Sequence, residues 1–214
     1  MSIRSYFMAK FYDSSMQEIE RLCFSDWRSE LLSGVCGDVL EIGSGTGVNL
    51  AYYPKSINSL VLTEPDIHML KLLNKNIEQK QVDESISENT RAENFAADKL
   101  AFPDDSFDTV VSTLVLCSVD SPVATLNEIK RVLKPDGKLY FLEHVVAADK
   151  PHLIKWQKFF QPFWVHMCGN CHLTRDTESN IKDAGFSFER IDRPYSTGGP
   201  PIVSPTIKGI ARSH

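Results

Sequence analysis

The chain has 214 residues, the size of a single α/β domain, and its 42% hydrophobic and 24% charged content is ordinary for a globular protein. The formal net charge of −5 argues against a nucleic-acid partner, because neutralising phosphates requires a basic surface. No segment approaches the roughly 20 consecutive apolar residues of a membrane span. We therefore expect no integral membrane segment, and peripheral membrane contact stays open.

The chain contains five cysteines, an odd number, and the stretch from Met1 to Lys10 lacks the apolar core of a secretory signal. Free thiols in a reducing compartment explain this composition most simply, so we expect a cytoplasmic location. The sequence leaves the oligomeric state open.

Short apolar runs alternate with longer amphipathic stretches, a pattern typical of α/β domains. The predicted helices cover residues 14–32, 48–53, 66–77, 121–133 and 174–184. The predicted strands cover residues 38–42, 59–63, a weak segment within 85–94, 107–113, 138–145, 186–193 and 202–211. We expect one domain over residues 1–214, with an N-terminal helical segment at 1–35 and a helical, aromatic-rich segment at 146–180 on the substrate side.

The first predicted strand leads into a glycine loop, Glu41-x-Gly43-x-Gly45-x-Gly47, and a helix follows. Glycines let the backbone turn sharply and approach a ligand without clashes of Cβ atoms. Dinucleotide-binding loops follow G-x-G-x-x-G, which would place the third glycine at Val48. The spacing therefore favours a ligand without a phosphate, held near a carboxylate. A tight strand-to-helix turn is the alternative.

Further motifs follow the later strands. Glu64 ends the second strand, where a carboxylate can accept both hydroxyls of a ribose, although a solvated loop carboxylate is the alternative. An acidic, proline-containing segment, Ala97 to Asp108, leads into the fourth strand. The turn Pro135-Asp136-Gly137 precedes the fifth strand.

As a set, these motifs resemble the class I S-adenosylmethionine-dependent methyltransferases, from about Trp27 to the C-terminus. One departure is Asp136, which replaces the first glycine of the family's Leu-x-Pro-Gly-Gly turn. The resemblance implies a Rossmann-like, doubly wound α/β fold with a seven-stranded sheet, the last strand antiparallel, and helices on both faces. It also implies S-adenosylmethionine as the cofactor and S-adenosylhomocysteine as the product.

The positions of the family's motifs imply the cofactor residues. The glycine loop would line the methionine portion, Glu64 would meet the ribose and Asp98 the adenine amino group, and Thr113 would lie under the sulfonium. Plain core packing explains Met69 and Leu114 about as well. The full implied set is Glu41, Gly43, Ser44, Gly45, Thr46, Gly47, Asn49, Glu64, Pro65, Met69, Ala97, Asp98, Thr113 and Leu114.

Residues 113–119, 140–145 and 169–176 resemble a narrower group, and the ending at 203–211 also fits. This group is the alkyl-thiol methyltransferases, known from mammals as membrane-anchored methyltransferase-like proteins, and their bacterial relatives (methyltransferase type 11). The mammalian proteins begin with a hydrophobic anchor that this chain lacks, so the resemblance does not carry membrane attachment over to it.

The predicted function is methyl transfer to a small, apolar nucleophile, with a thiol as the first hypothesis. The expected partner is therefore a small-molecule methyl acceptor. One alternative is methylation of a quinone precursor or of a phospholipid amine head group, because such enzymes share the cofactor motifs. A second alternative is a non-catalytic protein that binds S-adenosylmethionine.

Glu143 and His144, near the end of the fifth strand, are the predicted catalytic pair, because a proton acceptor helps when the nucleophile is a thiol. Adjacent strand residues point to opposite faces, so one of the two reaches the pocket. We favour His144, since imidazole titrates near neutrality. A structural histidine is the alternative.

Two segments have open interpretations. His172, Thr174 and Arg175 either close the pocket or cap a helix, and capping is favoured for Thr174. The aromatic stretch Trp156–Trp164 either walls an apolar substrate site or packs in the core.

The motif Cys168-Gly169-Asn170-Cys171-His172 matches the haem-attachment pattern C-x-x-C-H. Haem attachment follows export, and we find no export signal, so haem is not predicted. A zinc site on Cys168, Cys171 and His172 lacks an evident fourth ligand. The sequence therefore predicts no metal.

Overall fold

The computed structural model describes residues 17–213, which form a seven-stranded sheet in the order β3-β2-β1-β4-β5-β7-β6. The strands are β1 (Asp38–Ile42), β2 (Ser59–Thr63), β3 (Thr90–Glu93), β4 (Phe107–Thr113), β5 (Leu133–His144), β6 (Phe186–Asp192) and β7 (Thr206–Ser213). The α-helices are α1 (Ser25–Leu32), α2 (Ile67–Val82), α3 (Pro122–Val132), α4 (Pro151–Met167) and α5 (Thr177–Asp183). A π-helical turn, Glu20–Phe24, precedes α1, and 3-10 turns cover Val48–Ala51 and Pro201–Val203.

The strand order confirms the predicted doubly wound sheet. β7 pairs antiparallel with β5 and β6, and the other neighbours pair in parallel. From β1 the chain passes outward to β2 and β3 and then returns to the opposite side of β1 as β4. Ligands of such sheets bind at the carboxyl ends of the strands where the order reverses, which here is between β1 and β4.

Strand residues alternate between two apolar cores, one on each face of the sheet. In β1, Leu40 belongs to the core that contains Ile129 of α3. Its neighbour Val39 belongs to the core that contains Leu32 of α1 and Leu73 of α2. The predicted placement of helices on both faces is thus confirmed.

Two helix starts match the sequence prediction. The Asp66 carboxylate accepts the backbone N–H groups of His68 and Met69 at the start of α2. The Ser121 hydroxyl accepts the N–H of Ala124 at the start of α3. Both side chains satisfy donors that have no partner within the helix.

The prediction that Thr174 caps a helix is wrong. Helix α5 begins at Thr177, and the Asp176 side chain directly before it accepts the N–H of Ser179. The backbone N–H of Thr174 instead donates to Gln161. Asp176 lies directly before the first helical residue, where its carboxylate can accept a backbone N–H of the first turn. The hydroxyl of Thr174 lies two residues further from the helix.

Several boundaries differ from the prediction. The helix expected at 48–53 is a single 3-10 turn, the weak third strand occupies only Thr90–Glu93, and the last strand begins at Thr206. Strand β5 begins at Leu133, before the predicted turn at residues 135–137. The strand continues through these residues, and its pairing with β4 shifts register there. The first three residues of the helix predicted at 14–32 lie outside the described residues. Within residues 17–213, no helix has the length and apolar character needed to cross a bilayer.

Candidate active site

A cavity of about 1160 Å³ opens at the carboxyl edge of the sheet. Of the predicted cofactor residues, all except Gly47 line it. One part of the wall, here called the glycine-loop side, consists of the loop after β1 together with Glu64 and Asp98. The other part, here called the thiol side, consists of Cys117, His144 and Cys171.

The loop after β1 exposes its backbone to the cavity at Gly45. This residue has a φ of +57°, and a Cβ atom added there would meet only the Met69 sulfur, at 4.0 Å. A Cβ on Gly47 would lie 2.7 Å from side-chain atoms of Leu50 and Leu73. Gly45 therefore leaves room for a ligand, whereas Gly47 permits close packing beneath the loop.

Glu64 ties the end of β2 to this loop. Its carboxylate accepts the backbone N–H of Gly45 at 2.9 Å and that of Asp66 at 2.8 Å. Burial raises the pKa of Glu64. A carboxylate can accept about four hydrogen bonds, so both oxygens keep acceptor capacity for hydroxyl groups in the cavity.

Arg28 of α1 contributes a buried cation to the cavity wall, with 4% of its surface exposed. Its Nη1 donates to the Asn49 amide oxygen at 2.7 Å and to the Thr113 hydroxyl at 3.0 Å. Its Nη2 donates to Glu20 at 2.8 Å. Arg28 is the only arginine or lysine among the described residues that line the cavity.

Glu41 lies beneath the loop with 2% of its surface exposed. Its carboxylate accepts from the Asn49 amide at 3.0 Å and from the Tyr53 hydroxyl at 2.6 Å. Burial raises the pKa of Glu41 to about 7, although these hydrogen bonds oppose the shift. Glu41 thus orients Asn49, which in turn meets Arg28.

The chain turns sharply where β4 ends. Leu114 has a φ of +60°, a left-handed conformation that costs a residue with a Cβ atom about 1–2 kcal/mol. Its N–H donates to the Leu142 carbonyl at 2.8 Å. Such strain persists only where the surroundings fix the backbone, and it is concentrated at functional sites.

Glu143 supplies much of that constraint. Its side chain is fully buried, and one oxygen accepts from the Ser112 hydroxyl at 2.7 Å and from the N–H groups of Val115 and Leu116 at 3.1 Å. The other oxygen accepts the N–H of Cys117 at 3.3 Å. Burial raises the pKa of Glu143. Glu143 therefore holds the loop after β4, while its neighbour His144 lines the cavity.

Three reactive side chains meet on the thiol side. The Cys117 sulfur, the Cys171 sulfur and a ring nitrogen of His144 all lie within 4.8 Å of one another. The Cys171 Sγ lies 3.2 Å from the His144 Nε2. Cys117 and His144 are 1% and 4% exposed, so the cavity is their route to solvent.

Backbone contacts place Cys171 beside Cys117. The N–H of His172 donates to the Cys117 carbonyl at 2.8 Å. The Arg175 guanidinium donates to the carbonyls of Leu116 and Val119 at 3.0 and 2.6 Å. His172 and Arg175 thus fix two loops to each other rather than forming the cavity wall.

The two thiols polarise each other. The pKa of Cys171 is lowered, because the Cys117 thiol donates a hydrogen bond to it and His144 lies beside it. The same hydrogen bond, together with burial, raises the pKa of Cys117. The pair therefore favours a thiolate at Cys171.

Comparisons with known proteins identify the fold and the family. A family model described as "Methyltransferase domain" matches residues 40–141. Thiol S-methyltransferase TMT1B of Homo sapiens is 36% identical over 96% of this chain and 84% of its own length. Thiol S-methyltransferase TMT1A of Homo sapiens is 32% identical over the same shares of the two chains.

The chain belongs to this family of S-adenosylmethionine-dependent methyltransferases. A solved structure of a methyltransferase from Thermotoga maritima, described as a possible histamine N-methyltransferase, aligns over 100% of both chains with a TM-score of 0.69 and 17% identity. That likeness supports the fold. The methyl donor is S-adenosylmethionine, and the product is S-adenosylhomocysteine.

The glycine-loop side of the methyltransferase cavity fits this donor. Gly45 leaves open space beside the backbone, Glu64 retains acceptor capacity, and the exposed Asp98 borders the same space. Buried Arg28 adds a cation to the wall of the same cavity. Together they supply a cation, backbone groups and carboxylates, which are the kinds of partner that the carboxylate, the ribose hydroxyls and the amino groups of S-adenosylmethionine require.

Both interpretations of the aromatic stretch are wrong for most of its residues. Helix α4 turns Leu153 and Gln157 toward the protein, with 9% and 0% exposed surface. The aromatic side chains of the stretch lie outside that buried face, and among them only Trp164 lines the cavity. The exposed aromatic residues are Trp156, Phe159, Phe160 and Phe163.

The sequence prediction missed Arg28 and the pairing of Cys117 with Cys171. Arg28 could have been found, because it lies four residues from Phe24 and from Leu32 on the apolar face of the N-terminal helix. The cysteine pairing had no local signal, since the two residues are 54 positions apart.

Proposed function

We propose that this methyltransferase transfers the methyl group of S-adenosylmethionine to the thiol of a small, apolar molecule. The observation that carries the proposal is the thiol side of the cavity, where Cys117, His144 and Cys171 face the same space as the glycine loop. Sulfur and imidazole groups can hold an acceptor sulfur and stabilise its thiolate. The thiol S-methyltransferases that match nearly the whole chain support the same acceptor class.

The apolar character of the acceptor follows from the wall around these groups. Phe24, Val119, Trp164 and Met167 line the cavity. Apolar side chains bind an alkyl group by removing its surface from water, which contributes roughly 25 cal/mol per Å². A charged or highly polar acceptor would lose hydration without compensating hydrogen bonds from these residues.

The cofactor residues take the roles that the motifs imply. We propose that Gly43, Ser44 and Gly45 hold the methionine portion, Glu64 the ribose and Asp98 the adenine. Arg28, which the motifs did not include, is proposed to meet the carboxylate of the methionine portion. Thr113 and Leu114, where β4 ends, line the same cavity and are proposed to border the methyl group that is transferred.

Methyl transfer is an in-line displacement, and the bound sulfonium supplies the electrophilic methyl group. The protein has to align the acceptor with that group and exclude water. The turn at Leu114, fixed by Glu143 through the following N–H groups, sets the distance between the two sides of the cavity. Effective molarities of well-oriented groups show that such alignment alone contributes about 7–11 kcal/mol to rate enhancement.

His144 rather than Glu143 is the residue of the predicted pair that we propose to meet the acceptor. The Nε2 of His144 is 3.2 Å from the Cys171 sulfur and borders the cavity. The Glu143 carboxylate is occupied by one hydroxyl and three backbone N–H groups. Glu143 is therefore proposed as a positioning residue.

The acceptor is a small molecule, and we propose that the protein works in the cytoplasm without a nucleic-acid partner. Residues 17–213 contain all five cysteines, and none of the five forms a disulfide in the structure. Two of them, Cys117 and Cys171, lie close together and face an open cavity, which suits a reducing compartment.

The test is a panel of matched acceptors with isotope-labelled donor. Alkyl thiols are compared with alcohols and amines of equal chain length, with a quinol, and with phosphatidylethanolamine vesicles. Methyl transfer to the alkyl thiols, increasing with chain length, is the expected result. Transfer to the quinol or the vesicles without transfer to any thiol would replace the proposal with the corresponding alternative.

Calorimetry separates an inactive binder from an enzyme that lacks its acceptor. We expect S-adenosylmethionine and S-adenosylhomocysteine both to bind. Binding of both without turnover on any acceptor of the panel would favour the non-catalytic alternative.

A further inference from the structure

Cys117, His144 and Cys171 have the chemistry and the arrangement of a metal site. They form the only group of three or more metal-ligating side chains that the described residues bring within 4.8 Å of one another. The ligands come from the loop after β4, the end of β5 and the segment after α4. They differ from Cys168, Cys171 and His172, the set considered from the sequence, because the His172 ring contacts Gln161 instead.

Two sulfurs and one imidazole nitrogen are ligands that Zn²⁺ prefers. With Zn–S about 2.3 Å and Zn–N about 2.0–2.1 Å, a tetrahedral ion separates its sulfur and nitrogen ligands by roughly 3.6 Å. The Cys171 Sγ and His144 Nε2 are 3.2 Å apart, so a small movement accommodates the ion. Structural zinc sites have four protein ligands, whereas catalytic ones have three and keep a position open.

We propose that Cys117, His144 and Cys171 bind one Zn²⁺ ion whose fourth position opens into the cavity and takes the sulfur of the acceptor. All three ligands line the cavity that also contains the glycine loop. A metal bound there lies between the donor site and the apolar wall. The proposed zinc site replaces the expectation, drawn from the sequence, that the protein binds no metal. The binding of the acceptor sulfur by the zinc ion rests on the proposed function.

Hydrogen bonds with neighbouring residues hold two of the three proposed zinc ligands in place. The indole N–H of Trp164 donates to the Cys171 sulfur at 3.4 Å. The N–H of Cys117 is held by Glu143 and its carbonyl by His172. Contacts of this kind orient metal ligands, and replacing them typically costs about 10–100-fold in metal affinity.

The open position gives the acceptor thiol a defined chemical role. On binding, R–SH releases its proton to water and becomes a thiolate ligand. A lone pair of that sulfur forms a bond to the methyl carbon, the carbon–sulfur bond of the sulfonium breaks, and its electron pair stays on the sulfur of S-adenosylhomocysteine. The product R–S–CH₃ is a neutral thioether, a weaker ligand than the thiolate, and leaves. In this arrangement His144 acts as a ligand and not as the proton acceptor.

The test begins with metal content, which does not depend on activity. The protein is purified without chelators, and zinc per chain is measured by mass spectrometry for wild type, Cys117→Ser, Cys171→Ser and the control Cys36→Ser, which alters an exposed cysteine. We expect about one zinc per chain in wild type and in the control, and at least about tenfold less zinc per chain in the other two variants. Circular dichroism confirms that each variant is folded. Cys171→Ser keeps the test valid if the more buried Cys117→Ser does not fold.

Cobalt substitution then tests the open position. Cobalt-loaded protein should show thiolate-to-metal charge-transfer absorption that the Cys171→Ser variant lacks. An alkyl thiol should shift this spectrum, and an alcohol of the same chain length should leave it unchanged. A spectrum unaffected by thiols would overturn the role of the metal in acceptor binding.

The outcomes separate this proposal from the proposed function. Thiol methylation at full rate by zinc-free protein would overturn the zinc site and leave the function standing. Stoichiometric zinc in a protein that methylates no thiol would remove the function while supporting the metal ligands. A chain isolated as a Cys117–Cys171 disulfide, two hydrogens lighter and unable to take up Zn²⁺ after reduction, would also overturn the site.

Discussion

The two sides of the cavity are built in different ways. The glycine-loop side uses backbone groups and side chains at the ends of β1 and β2, and Glu64 joins the two strand ends. The thiol side uses three side chains from separate segments, which are brought together by contacts between loops. We propose that the first side holds S-adenosylmethionine, the methyl donor, and that the second side meets the acceptor. Because the two sides share no residue, we expect that donor binding and acceptor chemistry can be altered independently.

The largest expected effect comes from His144→Ala on the thiol side. We expect kcat to fall by about 10²–10⁴, since the variant removes a group that is proposed to hold the acceptor sulfur, either directly or as a ligand of the zinc ion. The affinity for S-adenosylmethionine should change little, because the glycine-loop side is untouched. Steady-state kinetics with an alkyl thiol and calorimetry with the donor measure the two quantities. Unchanged turnover would remove His144 from the mechanism.

Glu64→Ala should lower the affinity for the methyl donor much more than it lowers kcat, the reverse of the pattern expected for His144→Ala. Its carboxylate holds Gly45 and is proposed to accept the ribose hydroxyls, and hydrogen bonds to charged groups contribute about 1.5–3 kcal/mol each. We expect donor affinity to fall roughly 10–100-fold, while kcat at saturating donor changes much less. Calorimetry and kinetics over a range of donor concentrations check this. Equal losses in kcat and in donor affinity would show that the two sides are not independent.

Arg28→Met tests the residue that the motifs did not reveal. Its matched control is Arg21→Met, because Arg21 precedes it in the same helical region and forms an exposed ion pair with Glu18. We expect donor affinity to fall by about tenfold for Arg28→Met, the loss of one charge-assisted hydrogen bond, and not for the control. Binding of S-adenosylhomocysteine, which has the same carboxylate, should fall equally. A loss restricted to one of the two ligands would exclude the proposed contact.

Glu143→Gln tests whether Glu143 positions the loop after β4, which lies between the glycine-loop side and the thiol side of the cavity. The amide keeps the shape of the side chain but weakens its acceptance from three N–H groups, so we expect a loss of about 1–3 kcal/mol in unfolding free energy. A positioning role further predicts a lower kcat with KM for the acceptor less affected. If kcat is unchanged while stability falls, Glu143 supports the fold alone.

The smallest effect concerns Glu178, outside both sides of the cavity. Arg193, followed by Lys182, lowers the pKa of Glu178 to about 2. A depressed carboxyl pKa stabilises the fold above the unfolded value and loses that contribution as the pH falls through about 2. Arg193 is 56% exposed, so we expect Glu178→Gln to cost at most about 1 kcal/mol at neutral pH and almost nothing near pH 2. Unfolding at the two pH values measures this, and turnover should be unchanged.

The sequence predicted the glycine-loop side far better than the thiol side. Gly45 and Glu64 follow strands whose apolar pattern is visible in the sequence, and parallel strands bring their carboxyl ends to one edge. Thr46 and Asn49 line the cavity for the same reason. The fold was predictable because the alternation of strands and helices leaves few topologies.

The thiol side could not be predicted because its contacts are non-local. Cys117 and Cys171 meet through contacts between two irregular segments, among them the hydrogen bond from the His172 N–H to the Cys117 carbonyl. The C-x-x-C-H spacing even suggested the wrong partners, Cys168 and His172. The aromatic residues of α4 were misplaced because the sequence does not show which face of a helix is buried when apolar residues surround it.

The most direct test of the account is transfer of a ¹³C-labelled methyl group to one alkyl thiol and to the alcohol of the same chain length, followed by NMR of the products. We predict a labelled S–CH₃ signal from the thiol that grows with time in wild type, is nearly absent in His144→Ala, and has no O–CH₃ counterpart from the alcohol. A labelled methyl group on the alcohol at a comparable rate, or full S-methylation by His144→Ala, would contradict the account.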